Sequence, residues 1–266
     1  MEIGVEIIAI LMAVAFVAGM IDAMAGGGGL ITIPALLAAG IPPVAALATN
    51  KLQSSFGTCG AVIAFARRGH IDFRRFAVPA LASFGGSALG ALLVTRIDSG
   101  FLAALLPILL IAMVLYFLLS PRMSDEDRHS RAGPIALFVA AFVIGGYDGF
   151  FGPGTGSFFT TALVAMFGFG LLRAVAHTKL LNLASNLSSV LVFIIGGHVL
   201  WVLGLSMAVA SVAGGQIGAH VAIRYGAGIA RPLLIIVSIA LTAKLLVDPG
   251  NPLTATALGW LGWLGR

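Results

Sequence analysis

Lys51, Lys179, Asp22 and Asp148 each sit in a stretch otherwise rich in alanine, leucine, valine and glycine. A charge in such surroundings must find a partner or a wet surface, because an ionised side chain at mid-bilayer costs about 2.5 to 3.5 kcal/mol on insertion scales. Both lysines keep polar company. Thr49, Asn50, Gln53 and Ser54 surround Lys51, and His177, Thr178, Asn182, Ser185 and Asn186 surround Lys179. Ammonium, amide and hydroxyl groups together make a donor-rich set suited to a small anion. A lysine meets a compact oxyanion as a point charge, whereas a bidentate fork would have favoured arginine. Snorkelling, with the ammonium drawn to the nearer interface, is the alternative for either lysine.

Each aspartate precedes a helix-breaking run: Gly26 to Gly29 after Asp22, and Gly152 to Gly156 after Asp148. A helix that begins after such a break exposes N–H groups and the positive end of its dipole, which attract anions. Gly27, Gly28, Gly154 and Thr155 are therefore candidate backbone contributors, beside Lys51, Lys179, Asn50, Thr49, Thr178 and Asn182. Three roles fit Asp22 and Asp148: pairing with a lysine, exchanging a proton in a wet cavity, or capping the short helix that follows. His177 is a candidate proton carrier. No metal site is expected, because His70, His177 and His198 have no carboxylate or cysteine cluster at ligand spacing. Lone Cys59 excludes an intrachain disulfide and a thiolate site. No cofactor and no catalytic set is expected either, since no nucleophile and base pair stands at a recognisable spacing.

The elements that hold these groups are helices in a bilayer. Hydrophobic residues make up 59% of the 266-residue chain and charged residues 9%, with a mean hydropathy of +1.08, against roughly 25% charged for a soluble domain. Long apolar runs without alternation exclude a barrel and imply an all-α integral membrane protein. The net charge of +5 does not imply nucleic acid as a partner, because arginines such as Arg67, Arg68, Arg74 and Arg75 sit in short joints, where they report orientation. The start, MEIGVE, lacks the features of a signal peptide and reads as the approach to the first helix.

The chain repeats itself. Asp148 follows Asp22 by 126 positions, while Lys179 follows Lys51 by 128, as Gly197-His198-Val199 follows Gly69-His70-Ile71. Residues 1–120 and 134–250 thus read as two homologous membrane halves, joined by a charged linker at 121–133 and followed by an interfacial tail at 251–266. Each half holds four to five hydrophobic segments. The first runs Ile3 to Ala25, Leu30 to Ala39, Val44 to Ala66, Phe76 to Thr95 and Phe101 to Leu119; the second runs Pro134 to Phe151, Ser157 to Phe169, Leu171 to Ile195, Val202 to Ile223 and Ala230 to Val247. Leu30 to Ala39 gives roughly 15 Å of helix, half of a hydrocarbon layer about 30 Å thick. Breaks of this kind survive only beside protein or a watery cavity, and at matching positions of two repeats they point to a transporter's binding site. Four arginines in the joint 67–75, against none in its counterpart 196–201, argue for an inverted repeat; a parallel duplication with re-entrant short segments is the alternative. Glycines spaced four apart, Gly86 and Gly90 with Gly214 and Gly218, predict close helix packing.

Asp22 with Gly26 to Gly29, Thr49-Asn50-Lys51, Gly69-His70-Ile71, and the echoes at Asp148, Gly152 to Gly156, and Thr178-Lys179 with Asn182 together resemble the TauE/SafE sulfite exporter family of bacterial permeases. The second half departs from Thr-Asn-Lys, carrying His177-Thr178-Lys179. The resemblance implies movement of sulfur-containing anions such as sulfite or sulfonates across a bacterial inner membrane. With the residue reading it gives the expectation of a secondary transporter for a small anion, its partners being that anion and the lipid bilayer; a homodimer is compatible with the sequence. A passive anion channel built from the same parts is the alternative. An intramembrane enzyme is not expected.

Overall fold

The computed structural model describes residues 4–119, 132–225 and 230–247. Those residues form ten α-helices: α1 Val5–Ala25, α2 Gly29–Ala38, α3 Pro43–Ala66, α4 Phe73–Val94, α5 Ser99–Leu119, α6 Pro134–Phe150, α7 Thr155–Ala165, α8 Leu171–Ile195, α9 Trp201–Tyr225 and α10 Ala230–Val247. No strand occurs among them. Every segment expected from the sequence is a helix, five in each half. Most of the linker and all of the tail, residues 121–131 and 251–266, lie outside the described residues.

Glycine and proline set the helix ends. Helix α1 stops at Gly26 and Gly27, whose φ values of 76° and 102° lie in the left-handed region that only glycine enters without penalty. Gly152 and Gly154 do the same after α6, at 96° and 83°. The ten-residue α2 and the eleven-residue α7 follow these breaks, and both are too short to cross a bilayer. Helices α1, α4, α5, α8 and α9 are long and apolar enough to cross. Helix α3 has the length at 24 residues, and its row of buried polar side chains lowers its hydropathy. Large apolar side chains such as Ile10, Leu115, Val139 and Val209 are exposed on the outside of the bundle, while Lys51, Lys179, Asn50 and Asn182 are buried inside. That inside-out distribution is what a hydrocarbon solvent selects.

The halves interlock. Helix α1 packs along α9, and its repeat equivalent α6 packs along α4, so the first helix of each half lies on the fourth helix of the other. Gly86 abuts the backbone carbonyl of Phe142 and Gly90 that of Gly146; at the equivalent crossing Gly214 abuts the carbonyl of Phe16 and Gly218 that of Met20. A β-carbon at any of the four would collide with the opposing backbone, which is the close approach expected of small residues spaced four apart. Hydroxyls reinforce α4 against α8: Ser83 donates to the Leu181 carbonyl at 3.1 Å, Ser87 to that of Ser185 at 2.6 Å, and Ser188 to that of Phe84 at 2.7 Å. At the centre α3 packs on α8, which brings the two lysine helices together.

Candidate functional site

The two glycine breaks touch each other. A β-carbon on Gly26 would lie 2.7 Å from the Gly156 backbone, and one on Gly156 would lie 2.7 Å from the α-carbon of Gly26. On either side of this contact runs an ion pair between halves. Lys51 Nζ on α3 lies 2.7 Å from Asp148 Oδ2 on α6, and Lys179 Nζ on α8 lies 2.9 Å from Asp22 Oδ2 on α1. Lys51 also donates to Asn186 Oδ1 at 3.1 Å, and Lys179 donates to the backbone carbonyl of Asp22. The lysine side chains are 2% and 0% exposed, so neither snorkels. Pairing was one of the readings for the aspartates; that each lysine takes the aspartate of the other half is new information from the structure.

Asp22 carries a second role, because its Oδ1 accepts from the backbone N–H groups of Gly27 at 3.0 Å and Gly28 at 3.2 Å. The donors freed by the first break thus hold the protein's own carboxylate in this conformation, as a helix cap does. Hydroxyls tie each short helix to its lysine helix at mirrored places. Thr32 on α2 bonds Asn50 at 2.5 Å, and Thr160 on α7 bonds Thr178 at 3.2 Å, each pair 128 positions from the other.

A cavity of about 20 Å³, room for one water, opens where the breaks meet. Asp22, Gly27, Asn50, Lys51, Asp148, Thr155 and Asn182 line it, so seven of the sequence-expected residues converge. Lys179 is not among the lining residues and reaches the cavity through Asp22, which it pairs with and which lines it. Gly28 lines a smaller neighbouring cavity, and Gly154 packs against Met113 and Phe117. Thr49 is fully buried, with no hydrogen-bond partner for its hydroxyl among the described residues, and the same holds for Asn182 Oδ1 at the cavity wall. Buried polar atoms left unpaired are costly and call for a water or a ligand.

His177 lies apart from the cavity. Its Nε2 accepts from the Asp72 backbone N–H at 3.0 Å and its Nδ1 sits 2.7 Å from the Arg173 carbonyl, which fixes the proton on Nδ1. The ring stacks on Phe76 at 4.1 Å between centroids. With both nitrogens engaged, it joins α8 to the start of α4 as a packing group. Asn186, part of the polar company of Lys179, lines the cavity, and so does Thr58, which the sequence reading leaves out. Helical spacing carries the signal: 51, 54 and 58 share one face of α3, as 179, 182 and 186 share one face of α8.

A lipid-facing bundle whose buried charges meet at paired helix breaks defines a multi-pass membrane transporter. The chain belongs to the sulfite exporter TauE/SafE family, whose model matches residues 11–245. It is 50% identical over 98% of its length to a probable membrane transporter protein, ORF9, of a Sinorhizobium species, covering 99% of that protein. It is 46% identical over 94% of its length to a probable membrane transporter protein of Haemophilus influenzae, covering 98% of it. Identity to the probable membrane transporter protein YfcA of Escherichia coli is 45% over 96% of this chain and 94% of that one. No solved structure matches the chain. The protein is accordingly a multi-pass protein of the bacterial inner membrane.

Proposed function

We propose that this protein is a secondary carrier of a small anion, a sulfur oxyanion or organosulfonate such as sulfite, and not an enzyme. One observation carries the reading: two lysines, both buried, are neutralised across the halves at a cavity walled by amides, hydroxyls and glycine backbone. An incoming anion competes with the aspartates for these cations. Lys51 and Lys179 attract it; Asn50, Asn182 and Thr155 orient it, with Thr49 and Thr178 behind them; Gly27 and Gly28 supply N–H donors once Asp22 withdraws. An aspartate that gives up its lysine keeps the site neutral by taking a proton, and one that keeps its lysine balances charge.

The cavity admits a water and not an oxyanion, so binding requires the halves to part. Because both ion pairs and the glycine contact join opposite halves, rocking of one half against the other as an inverted repeat opens the site and exchanges these bonds. The same closure favours a carrier over the passive anion channel, which needs a continuous path. The test is flux of sulfite, sulfate, thiosulfate and a small sulfonate in proteoliposomes, comparing wild type with Lys51→Ala and Lys179→Ala of verified fold. Saturable flux that responds to a pH gradient and collapses in at least one variant supports the proposal. Full flux in both variants overturns it, and large unitary currents favour the channel.

A further inference from the structure

The two aspartates are not equivalent in their surroundings, although the repeat makes them equivalent in sequence. Asp22 is 24% exposed and Asp148 4%. Asp22 also lines a second cavity of about 10 Å³, together with Gln53, Ser54, Thr58, Gly57 and Ser211 among others and without Lys179. Asp22, Ser54 and Thr58 also line the central cavity, so the carboxylate stands between the two spaces. The second is at the lower limit for one water, and such a water needs two to four polar partners. Gln53 Oε1 is one of them, being buried with no hydrogen-bond partner among the described residues. The mirrored ground beside Asp148 is filled with different side chains. Leu181 stands in place of Gln53 and is fully buried, and Ser185 stands in place of Gly57, its carbonyl capped by Ser87. A side chain at Gly57 would run into Ser211 Oγ, so the glycine keeps this space open.

We propose that Asp22 alone exchanges the proton, through water held in the cavity of Gln53, Ser54, Thr58 and Ser211, while Asp148 stays a fixed counter-ion to Lys51. The inference rests on the anion-carrier reading and adds a division of labour to it. In the step, a proton from the bulk solvent is relayed through that water, which is left as water, and adds to an Asp22 carboxylate oxygen; the hydrogen bonds from Gly27 and Gly28 and the pair with Lys179 weaken together. The anion then takes the place of the lost negative charge. One proton and one monovalent anion enter, so the site's net charge is unchanged. The charged groups facing Asp22 are Lys179 from α8, in contact, Lys51 from α3, near enough to act on it electrostatically, and Asp148 from α6, which lines the same central cavity and is held by Lys51. Helices α2 and α7 carry no titratable side chain, and Cys59 on α3, His220, Arg224 and Tyr225 on α9 and Lys244 on α10 are all exposed, away from this wall.

The first measurement needs no substrate: infrared difference spectra of the purified full chain between neutral and acidic pH, in wild type, Asp22→Asn, Asp148→Asn and Gln53→Leu. A protonated-carboxyl band of a buried acid is expected in wild type, is lost in Asp22→Asn, and persists in Asp148→Asn. Persistence of the whole band in Asp22→Asn, or its absence from wild type, overturns the proposal. The second is the ratio of pH-driven sulfite accumulation to sulfite exchange at equal pH in proteoliposomes. Gln53→Leu copies the residue of the other half and keeps every carboxylate, so it separates loss of the water path from misfolding; the ratio is expected to drop in it and to vanish in Asp22→Asn. An unchanged ratio in Gln53→Leu, with wild type exchanging and accumulating the anion, overturns this inference alone. If wild type moves no anion in either assay, the carrier reading fails and this inference falls with it.

Discussion

Lys51 and Asp148 belong to opposite halves of the chain and meet at 2.7 Å, with their side chains 2% and 4% exposed. Each charge offsets the other's loss of solvent, and removal of one partner from a buried pair costs about 3 to 5 kcal/mol. Asp148→Asn should therefore lower the thermal stability of the detergent-solubilised protein sharply. Adding Lys51→Met to it removes the stranded charge and should restore most of the loss while leaving anion flux absent. Thermal unfolding of the two single variants and the double variant checks this; losses that simply add would show that the pair contributes little.

Much of this was legible in the sequence. The offset of 126 to 128 residues paired Asp22 with Asp148 and Lys51 with Lys179, and the broken segments beside them signalled a cavity. The partner of each charge was not legible. Asp22 lies 29 positions before Lys51 in its own half, and only the crossing of α1 onto α9 and of α6 onto α4 hands each aspartate to the other lysine. The place of His177 is hidden for a similar reason, because position 177 lies two residues from Lys179 in sequence while the N–H that donates to its ring, that of Asp72, comes from the cap of α4. Thr58 and Asn186 were readable as the next turn of the lysine faces.

Gly26 and Gly156 are pressed together, so methyl groups there should disturb the meeting of the breaks. Gly156→Ala inserts an atom where 2.7 Å is available, and overpacking of this size costs about 1 to 3 kcal/mol. Gly26→Ala adds the strain of a φ of 76° with a ψ of 159°, a region essentially confined to glycine, at about 1 to 3 kcal/mol more. Both should lower thermal stability, Gly26→Ala further, and both should slow anion exchange. A fully active, equally stable Gly156→Ala would mean that the breaks are not in contact in the working protein.

The helix crossings predict a symmetric pair of failures. Gly90 faces the Gly146 carbonyl and Gly218 faces that of Met20, so a leucine at either forces α4 from α6 or α9 from α1. Gly90→Leu and Gly218→Leu should both fail to yield folded protein at wild-type levels in gel filtration. At Gly85, where only a Phe142 ring carbon at 3.9 Å lies within reach of a β-carbon, alanine should be tolerated within about 0.5 kcal/mol. Intolerance at Gly85 equal to that at Gly90 would remove the argument from close backbone approach.

His177 offers the contrast that isolates the proton route. Both of its ring nitrogens are taken, by the Asp72 N–H and the Arg173 carbonyl, and it touches neither cavity. His177→Phe keeps the stacking on Phe76 but removes the acceptor of the Asp72 N–H and the second donor to the Arg173 carbonyl, at about 0.5 to 1.5 kcal/mol for each hydrogen bond lost at this part-exposed place. The variant should melt earlier than wild type, and the flux of the folded fraction should keep the wild-type dependence on pH in both direction and midpoint. A histidine that carried the coupling proton would instead abolish that dependence when replaced by phenylalanine. Flux measured across a series of imposed pH gradients, normalised to folded protein, separates the two outcomes, because a packing defect scales the whole curve while loss of a proton carrier flattens it.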